Sequence, residues 1–451
     1  MPSQPPISET APLLATHTPS SIHHNATPQD SSDPAGLEKA ETIGSTRLKI
    51  GATMFSFVIL GLFTSSVGVM LPPISAHYDL TDLHVSFIFL AVPLGYVVAA
   101  SSNPLIHSRF GQRGIAGLGP VLHVVSAVCV GLHPTFEVLL AAFAVMAMGT
   151  GLLDGSWCTY AAGMPNAGFV SGLLHGSFSV GAAVGPFCAG ALMEKDMAWW
   201  TWYYALAATS VIALIVLLYA FRHANATHYH ATKPQPNNDN TTSRSLTHMF
   251  RYPALYLSSL YFLTYVGIET AISGWIISYT LRYLHATPSL SSLSSSGFWS
   301  GMAAGRLVLG HSTDRIGVRR AATMYLLLAI GVQAVFAFMR SPVGAVVLMA
   351  LLGACMGPLF PSGVVVLTRL LPPELHVQAV SFVSSLGQVG GAALPFGIGA
   401  FVDGVGIGVF RWVILGFTGL SLVVWLAFAG LKPTKGEGSV AMEREEDERE
   451  D

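Results

Sequence analysis

Charge is scarce in this chain. Only 10% of its 451 residues are charged and 52% are hydrophobic, giving a mean hydropathy of +0.56. A soluble globular protein carries about 25% charged residues, so a soluble fold of this length would lack polar surface and most of the chain must face lipid. The formal net charge is −2, which excludes the basic footprint of a nucleic-acid binder. Cysteine is as sparse. Cys129, Cys158, Cys188 and Cys355 all fall in apolar segments, without the spacing of a metal site or a disulfide framework, and read as small packing residues. No phosphate-cradling glycine loop is present, so no nucleotide or other cofactor is expected. Residues 1–46 are rich in Pro, Ser, Thr and His and lack the apolar core of a signal peptide. The first spanning helix is therefore expected to act as its own insertion signal.

What the chain has in abundance is long apolar runs. Twelve candidates lie at about 48–71, 84–104, 114–133, 135–160, 168–193, 199–221, 253–281, 290–309, 320–339, 342–370, 377–402 and 408–431, each near the roughly 20 residues that cross a bilayer. Backbone polar groups cannot be left bare in lipid, so the runs are predicted to be helices and the fold an all-α membrane protein. With both termini in the cytosol, 17 of the 22 Lys and Arg residues fall on the cytosolic side, the asymmetry that fixes orientation. Trp199 to Tyr204 reads as an aromatic belt at the outer interface. The polar stretch 223–252 divides the spans into two sets of six. The expected organisation is a disordered cytosolic tail (1–46), a six-helix bundle (47–222), a cytosolic linker (223–252), a second six-helix bundle (253–431) and an acidic tail (432–451). The end of the linker, Arg244 to Arg251, is expected as a short interfacial helix.

The two bundles repeat each other. Gly310-His311-Ser312-Thr313-Asp314-Arg315-Ile316-Gly317-Val318-Arg319-Arg320 sits between two spans, and a degenerate copy, Ser108-Arg109-Phe110-Gly111-Gln112-Arg113, lies 206 positions earlier with Ser108 in place of the acid. At that offset Gly95 maps onto Gly301 and Ala99 onto Gly305, and Gly181 to Pro186 matches Gly390 to Pro395 at offset 209. The loop Gx3-Asp-Arg-x-Gly-x-Arg-Arg resembles the loop signature of the major facilitator superfamily. That resemblance implies twelve transmembrane helices in two pseudo-symmetric six-helix bundles, a carrier working by alternating access, and a gating role for Gly310, Asp314, Arg315, Gly317, Arg319 and Arg320. Gly172-x8-Gly181-x3-Gly185-Pro186 resembles the glycine-proline signature of the fifth helix. Further blocks resemble the fucose-permease-like branch, most of all its fungal members: Gly149 to Trp157, Gly172 to Gly176, Tyr265 to Glu269 with Gly274-Trp275, and Gly357 to Pro361. Two departures are notable. Cys158 replaces an asparagine usual after the tryptophan, and Gly68 stands where bacterial fucose permeases carry an aspartate.

Ionisable groups inside a membrane are costly and are functional candidates by default. Asp154 in the fourth span and Glu269 in the seventh are the clearest acids. A carboxyl that takes up a proton in one conformation and releases it in the other couples proton flow to solute flow; the bland alternative for each is a structural hydrogen bond. His175 is either a solute or proton group or a satisfied interhelical histidine, and His123 reads as packing. Trp157, Tyr265, Trp275 and Gln388 are candidates to line a solute cavity, with packing the alternative for each aromatic. Arg306 is expected to snorkel toward the cytosol or to join Asp314. The reading is a secondary active transporter of a small organic solute, sugar-like or a secondary metabolite, with protons as the coupling ion, monomeric, and set in the plasma or vacuolar membrane. Its alternatives are a passive facilitator or a transport-dead sensor of the same fold. No enzyme chemistry is expected. Glu9 with Leu13-Leu14 fits an acidic dileucine signal read by sorting adaptors.

Overall fold

The computed structural model describes residues 34–164, 166–227, 230, 249–372 and 375–432; the side chains of 34–44, 167, 168, 310, 311, 314 and 377 lie outside the description. So do the Glu9-Leu13-Leu14 signal, the Asp314 carboxylate, most of both tails and most of the linker with its expected interfacial helix. Contacts divide the chain into Met1–Thr46 and Arg47–Asp451; apart from the start of the first helix, the elements belong to the second unit.

Every regular element among the described residues is helical. In chain order they are α1 (Pro34–Tyr78), the single turn α2 (Asp82–Val85), α3 (Phe87–Gly131), α4 (Phe136–Ala162), α5 (Ala167–Glu194), α6 (Thr201–Ala220), α7 (Pro253–Arg282), α8 (Pro288–Ile316), α9 (Val318–Phe338), α10 (Pro342–Met356), α11 (Leu359–Leu370), α12 (His376–Val405), a 3-10 turn (Ile407–Val409) and α13 (Phe410–Ala429). Among the described residues ten segments are long and apolar enough to cross a membrane, so this is a multi-pass membrane protein. The count reconciles with twelve crossings on two points. α3 is two spans merged across a kink at Gly111 (φ 69°, ψ −165°). α8 has the length of a span, but six serines between Ser289 and Ser296 depress its hydropathy. α10 and α11 form one span broken at Gly357-Pro358, where proline cannot continue the hydrogen-bond ladder.

Starts and stops follow local chemistry. Pro253, Pro288 and Pro342 each open a helix at its first turn, where the missing N–H costs nothing. Thr287 and Ser341 cap α8 and α10 by accepting from the N–H groups of Leu290 and Gly344. Gly317 ends α8 with φ 88°, a conformation that glycine adopts freely.

The aromatic cluster at the start of α6 turns inward. Trp199, Trp202 and Tyr203 are buried and the Trp202 indole donates to Ser66 Oγ at 2.7 Å, whereas Tyr204 is exposed. The expected belt is therefore mostly core, because Ser66 of α1 offers the indole N–H a buried acceptor that lipid cannot.

Candidate functional site

The central site forms where α4 and α5 meet α7 and α8. Asp154 and Cys158 are one turn apart on α4, and the Cys158 thiol donates to the Asp154 carboxylate at 3.5 Å. His175 of α5 brings Nε2 to 4.0 Å from the same sulfur, and Asp154 and His175 lie within electrostatic reach of each other. Two candidates from separate stretches of sequence, Asp154 and His175, thus converge on Cys158. Phe57 of α1 closes one side, edge-on to the His175 ring at 5.9 Å.

Across the gap stands Arg306 of α8. Its Nη1 donates to Ser179 Oγ of α5 at 2.8 Å, its Nε to the Gly357 carbonyl at 3.4 Å, and its Nη2 lies 3.2 Å from the Met302 sulfur. The guanidinium acts electrostatically on both Glu269 and His175. The expected snorkelling toward the cytosol is not seen, and the expected union with Asp314 falls on a side chain outside the described residues. Arg306 is half-buried in the middle of the bundle because the break after Gly357 leaves a carbonyl to receive it, and Ser179, 127 positions away in sequence, comes into reach. Pairing was the missed signal: sequence flagged Arg306 as an intramembrane cation but could not name a partner in the other bundle.

The aromatic candidates divide from the polar ones. Trp157, Tyr265 and Trp275 are each at most 1% exposed. Trp157 stacks on Phe221 with ring centres 4.5 Å apart. The Tyr265 hydroxyl donates to the Met356 carbonyl at 3.0 Å, and the Trp275 indole to the Pro395 carbonyl at 2.8 Å. In this conformation they pack rather than line a cavity: each ring fills an interhelical joint, the polar tips of Tyr265 and Trp275 are satisfied by carbonyls, and the Trp157 indole N–H is buried with no partner among the described residues. Glu269 and Gln388 are half-buried, and His175 is exposed. His123 is buried against Thr150 Oγ1 at 3.0 Å, in keeping with a packing role.

The bundles touch on one side of this centre. Arg282 at the end of α7 forms an ion pair with Asp82 of α2 at 2.6 Å. Phe87 packs on Phe396, and Phe89 on Trp275. Gly190 lies against Ser292, and Gly399 against Ser86. Gly68 lies so close to the Ser273 carbonyl that a Cβ would overlap it, so the aspartate of the bacterial pattern has no room here. Toward the other side, where the Gly111 and Gly317 loops lie, α5 is uncovered: Gly172 and Gly176 have nothing within 4 Å of a would-be Cβ. The polar centre is thus closed from the Asp82 side and reachable from the glycine-loop side.

The loop arginines have local duties. Arg319 Nη2 donates to the Leu431 carbonyl at 3.1 Å, and Arg113 Nη1 to the Arg222 carbonyl at 3.5 Å. Each caps the end of the last helix of its own bundle. Arg315 and Arg320 are exposed.

Comparison with known proteins bears on this arrangement. A family model described as Major Facilitator Superfamily matches residues 53–283 and 257–448. The chain is 28% identical over 398 residues to Bypass of stop codon protein 6 of Saccharomyces cerevisiae, covering 81% of this chain and 79% of that one. Among solved structures, a D-xylose-proton symporter aligns with TM-score 0.70 at 14% identity over 87% of this chain and 100% of its own. A point mutant of the nucleoside transporter NupG aligns with TM-score 0.69 at 16% identity over 84% and 98%. At such identities these likenesses speak to the fold.

Proposed function

Because the chain belongs to the Major Facilitator Superfamily, we propose that it is a secondary active transporter carrying a small organic solute by alternating access between two six-helix halves, 47–222 and 253–431. The observation that carries this reading is the Arg306–Ser179 bridge. It joins the halves at the polar centre, with acids on both sides and an opening toward one face. Contacts made in one state of the halves and not in the other are what bias a two-state carrier.

The solute is a sugar-like compound or secondary metabolite. The blocks shared with the fucose-permease-like branch and its fungal members support this, as does the fold shared with a D-xylose-proton symporter. Protons drive it. Asp154, hydrogen-bonded to Cys158 and beside His175, is the coupling acid, and Glu269, beside Arg306, contacts the solute together with Gln388. The termini and the 223–252 linker are cytosolic, so the glycine-loop side is the inside, and the membrane is the plasma or vacuolar one. Asp314 belongs to a gate on that side.

The test is reconstitution in vesicles with a panel of metabolites, comparing proton-gradient-driven accumulation with counterflow. Asp154→Asn is expected to abolish accumulation and keep counterflow, because exchange requires no net proton transfer. If Asp154→Asn and Glu269→Gln both accumulate solute as the wild type does, neither acid couples transport to protons.

A further inference from the structure

One cavity lies apart from the central site. It has a volume of about 620 Å³ and is formed by both limbs of α3, the end of α6 and the chain just beyond it. One end is cationic: Arg109 and Arg113 flank the Gly111 kink, and both are exposed. Arg113 spends one N–H on the Arg222 carbonyl. Arg109 makes no hydrogen bond or ion pair among the described residues. Asn225 and Thr227 also line the cavity; the remainder is apolar and runs along α3 from Phe110, which is 60% exposed, past Gly117 to Val121 and Leu218. From Arg113 to Val121 the groove extends about 12 Å at ~1.5 Å rise per residue. Gly117 keeps its floor flat, since a Cβ there would meet only the Leu218 side chain, at 3.4 Å.

A cationic mouth at the end of a span, continuing into an open apolar channel along the outside of the bundle, matches one kind of molecule in shape and charge. We propose that this groove binds an anionic phospholipid, its phosphate and headgroup charge held by Arg109 and Arg113 and one acyl chain lying over Gly117 against Leu218. Guanidinium groups suit phosphate through paired N–H donors, and cations at a membrane surface gain from anionic lipid. The loop acid that the second half carries as Asp314 is Ser108 here, which leaves the two cations unopposed by that carboxylate. Lipid bound at the Gly111 loop would hold α3 and the end of α6 together, since Arg113 touches both.

Native mass spectrometry of the purified full-length protein tests this with three probes: phosphatidylserine, phosphatidylcholine and inorganic phosphate. One phosphatidylserine is expected to remain bound where phosphatidylcholine does not. Losing both cations in Arg109→Gln/Arg113→Gln should weaken it roughly thirtyfold, about fivefold for each cation at an anionic surface. Arg251→Gln, an exposed cation outside the groove, should leave binding intact. Gly117→Leu keeps both charges and fills the channel, so it should also lower phosphatidylserine binding. Equal retention of phosphatidylcholine, unchanged binding in the double variant or in Gly117→Leu, or full competition by inorganic phosphate would each overturn the proposal.

Discussion

At the residue scale, two glycines and three arginines do work that no other residue type could. Gly111 and Gly317 occupy matching positions in the repeat and both have positive φ, at 69° and 88°. A side chain there costs about 1–2 kcal/mol from backbone sterics alone. Gly111 carries a further constraint, because a Cβ would overlap the Ala224 carbonyl, whereas Gly317 has open space around it. Gly317→Ala should therefore lose about 1–2 kcal/mol and Gly111→Ala more, read as thermal unfolding of the purified protein; equal losses would mean that the Ala224 contact yields freely. Arg113 and Arg319, also at matching positions, give the reason a basic residue recurs in both loops: each supplies donors to carbonyls at a helix end. Arg306 is different, since its bonds reach Ser179 in the other half. Arg306→Gln should cut transport at least tenfold, as about 1.5–3 kcal/mol rests on a hydrogen bond to a charged group. Arg306→Lys keeps the charge but not the fork and should fall between. Wild-type rates in Arg306→Gln would leave the central bridge without a role.

At the element scale, the duplication read from sequence reappears as geometry. A Cβ on Gly95 would strike the Ala144 carbonyl, and a Cβ on Gly301 the Ala350 carbonyl; both members of each pair are 206 positions apart. The second limb pair behaves alike, with Gly181 against Val58 and Gly390 against Leu263. These helices cross with backbones in contact, the packing that small residues permit in lipid. Gly301→Val should cost about 1–3 kcal/mol by overpacking, while Gly419→Val, where nothing lies within 4 Å, should be near neutral in the same unfolding assay. Element number and repeat were legible because hydropathy and glycine spacing are local signals. The segment 290–309 reads as a span from its length and apolar residues, although the serines of α8 depress its mean hydropathy. The central site was legible only in part. Asp154, His175 and Glu269 stood out as polar groups in apolar runs. That Trp157, Tyr265 and Trp275 would pack was undecidable, because a buried ring and a cavity-facing ring look the same in one dimension. Ser179 gave no signal at all, being one serine among many until folding sets it against Arg306.

At the scale of the whole molecule, the two halves are held on the Asp82 side by contacts of modest strength, and a carrier requires that. The Arg282–Asp82 pair is short, but the arginine side chain is 44% exposed, so solvent screening limits it to about 0.2–1 kcal/mol. Working against closure, Ser291, Ser292, Ser295 and Ser296 of α8 are buried with no hydrogen-bond partner, and Ser292 sits in the joint against Gly190. Parting the halves there would return the Ser292 hydroxyl to water, which offsets part of the packing lost. The balance predicts that the ion pair shifts the equilibrium without dictating it. Introducing a thiol as Ser292→Cys, at a position 1% exposed in this conformation, reports opening as its rate of modification by a water-soluble thiol reagent. Asp82→Asn or Arg282→Gln should raise that rate by up to about fivefold, the most that ~1 kcal/mol allows, and the exchanged pair Asp82→Arg with Arg282→Asp should bring it back down. High salt should narrow the difference between wild type and single variants, because screening weakens an exposed pair. If the single variants label no faster, or the exchanged pair labels as fast as they do, charge at this contact does not hold the halves together and the closure rests on the uncharged contacts, such as Phe87–Phe396 and Phe89–Trp275, and on the Arg306–Ser179 bridge.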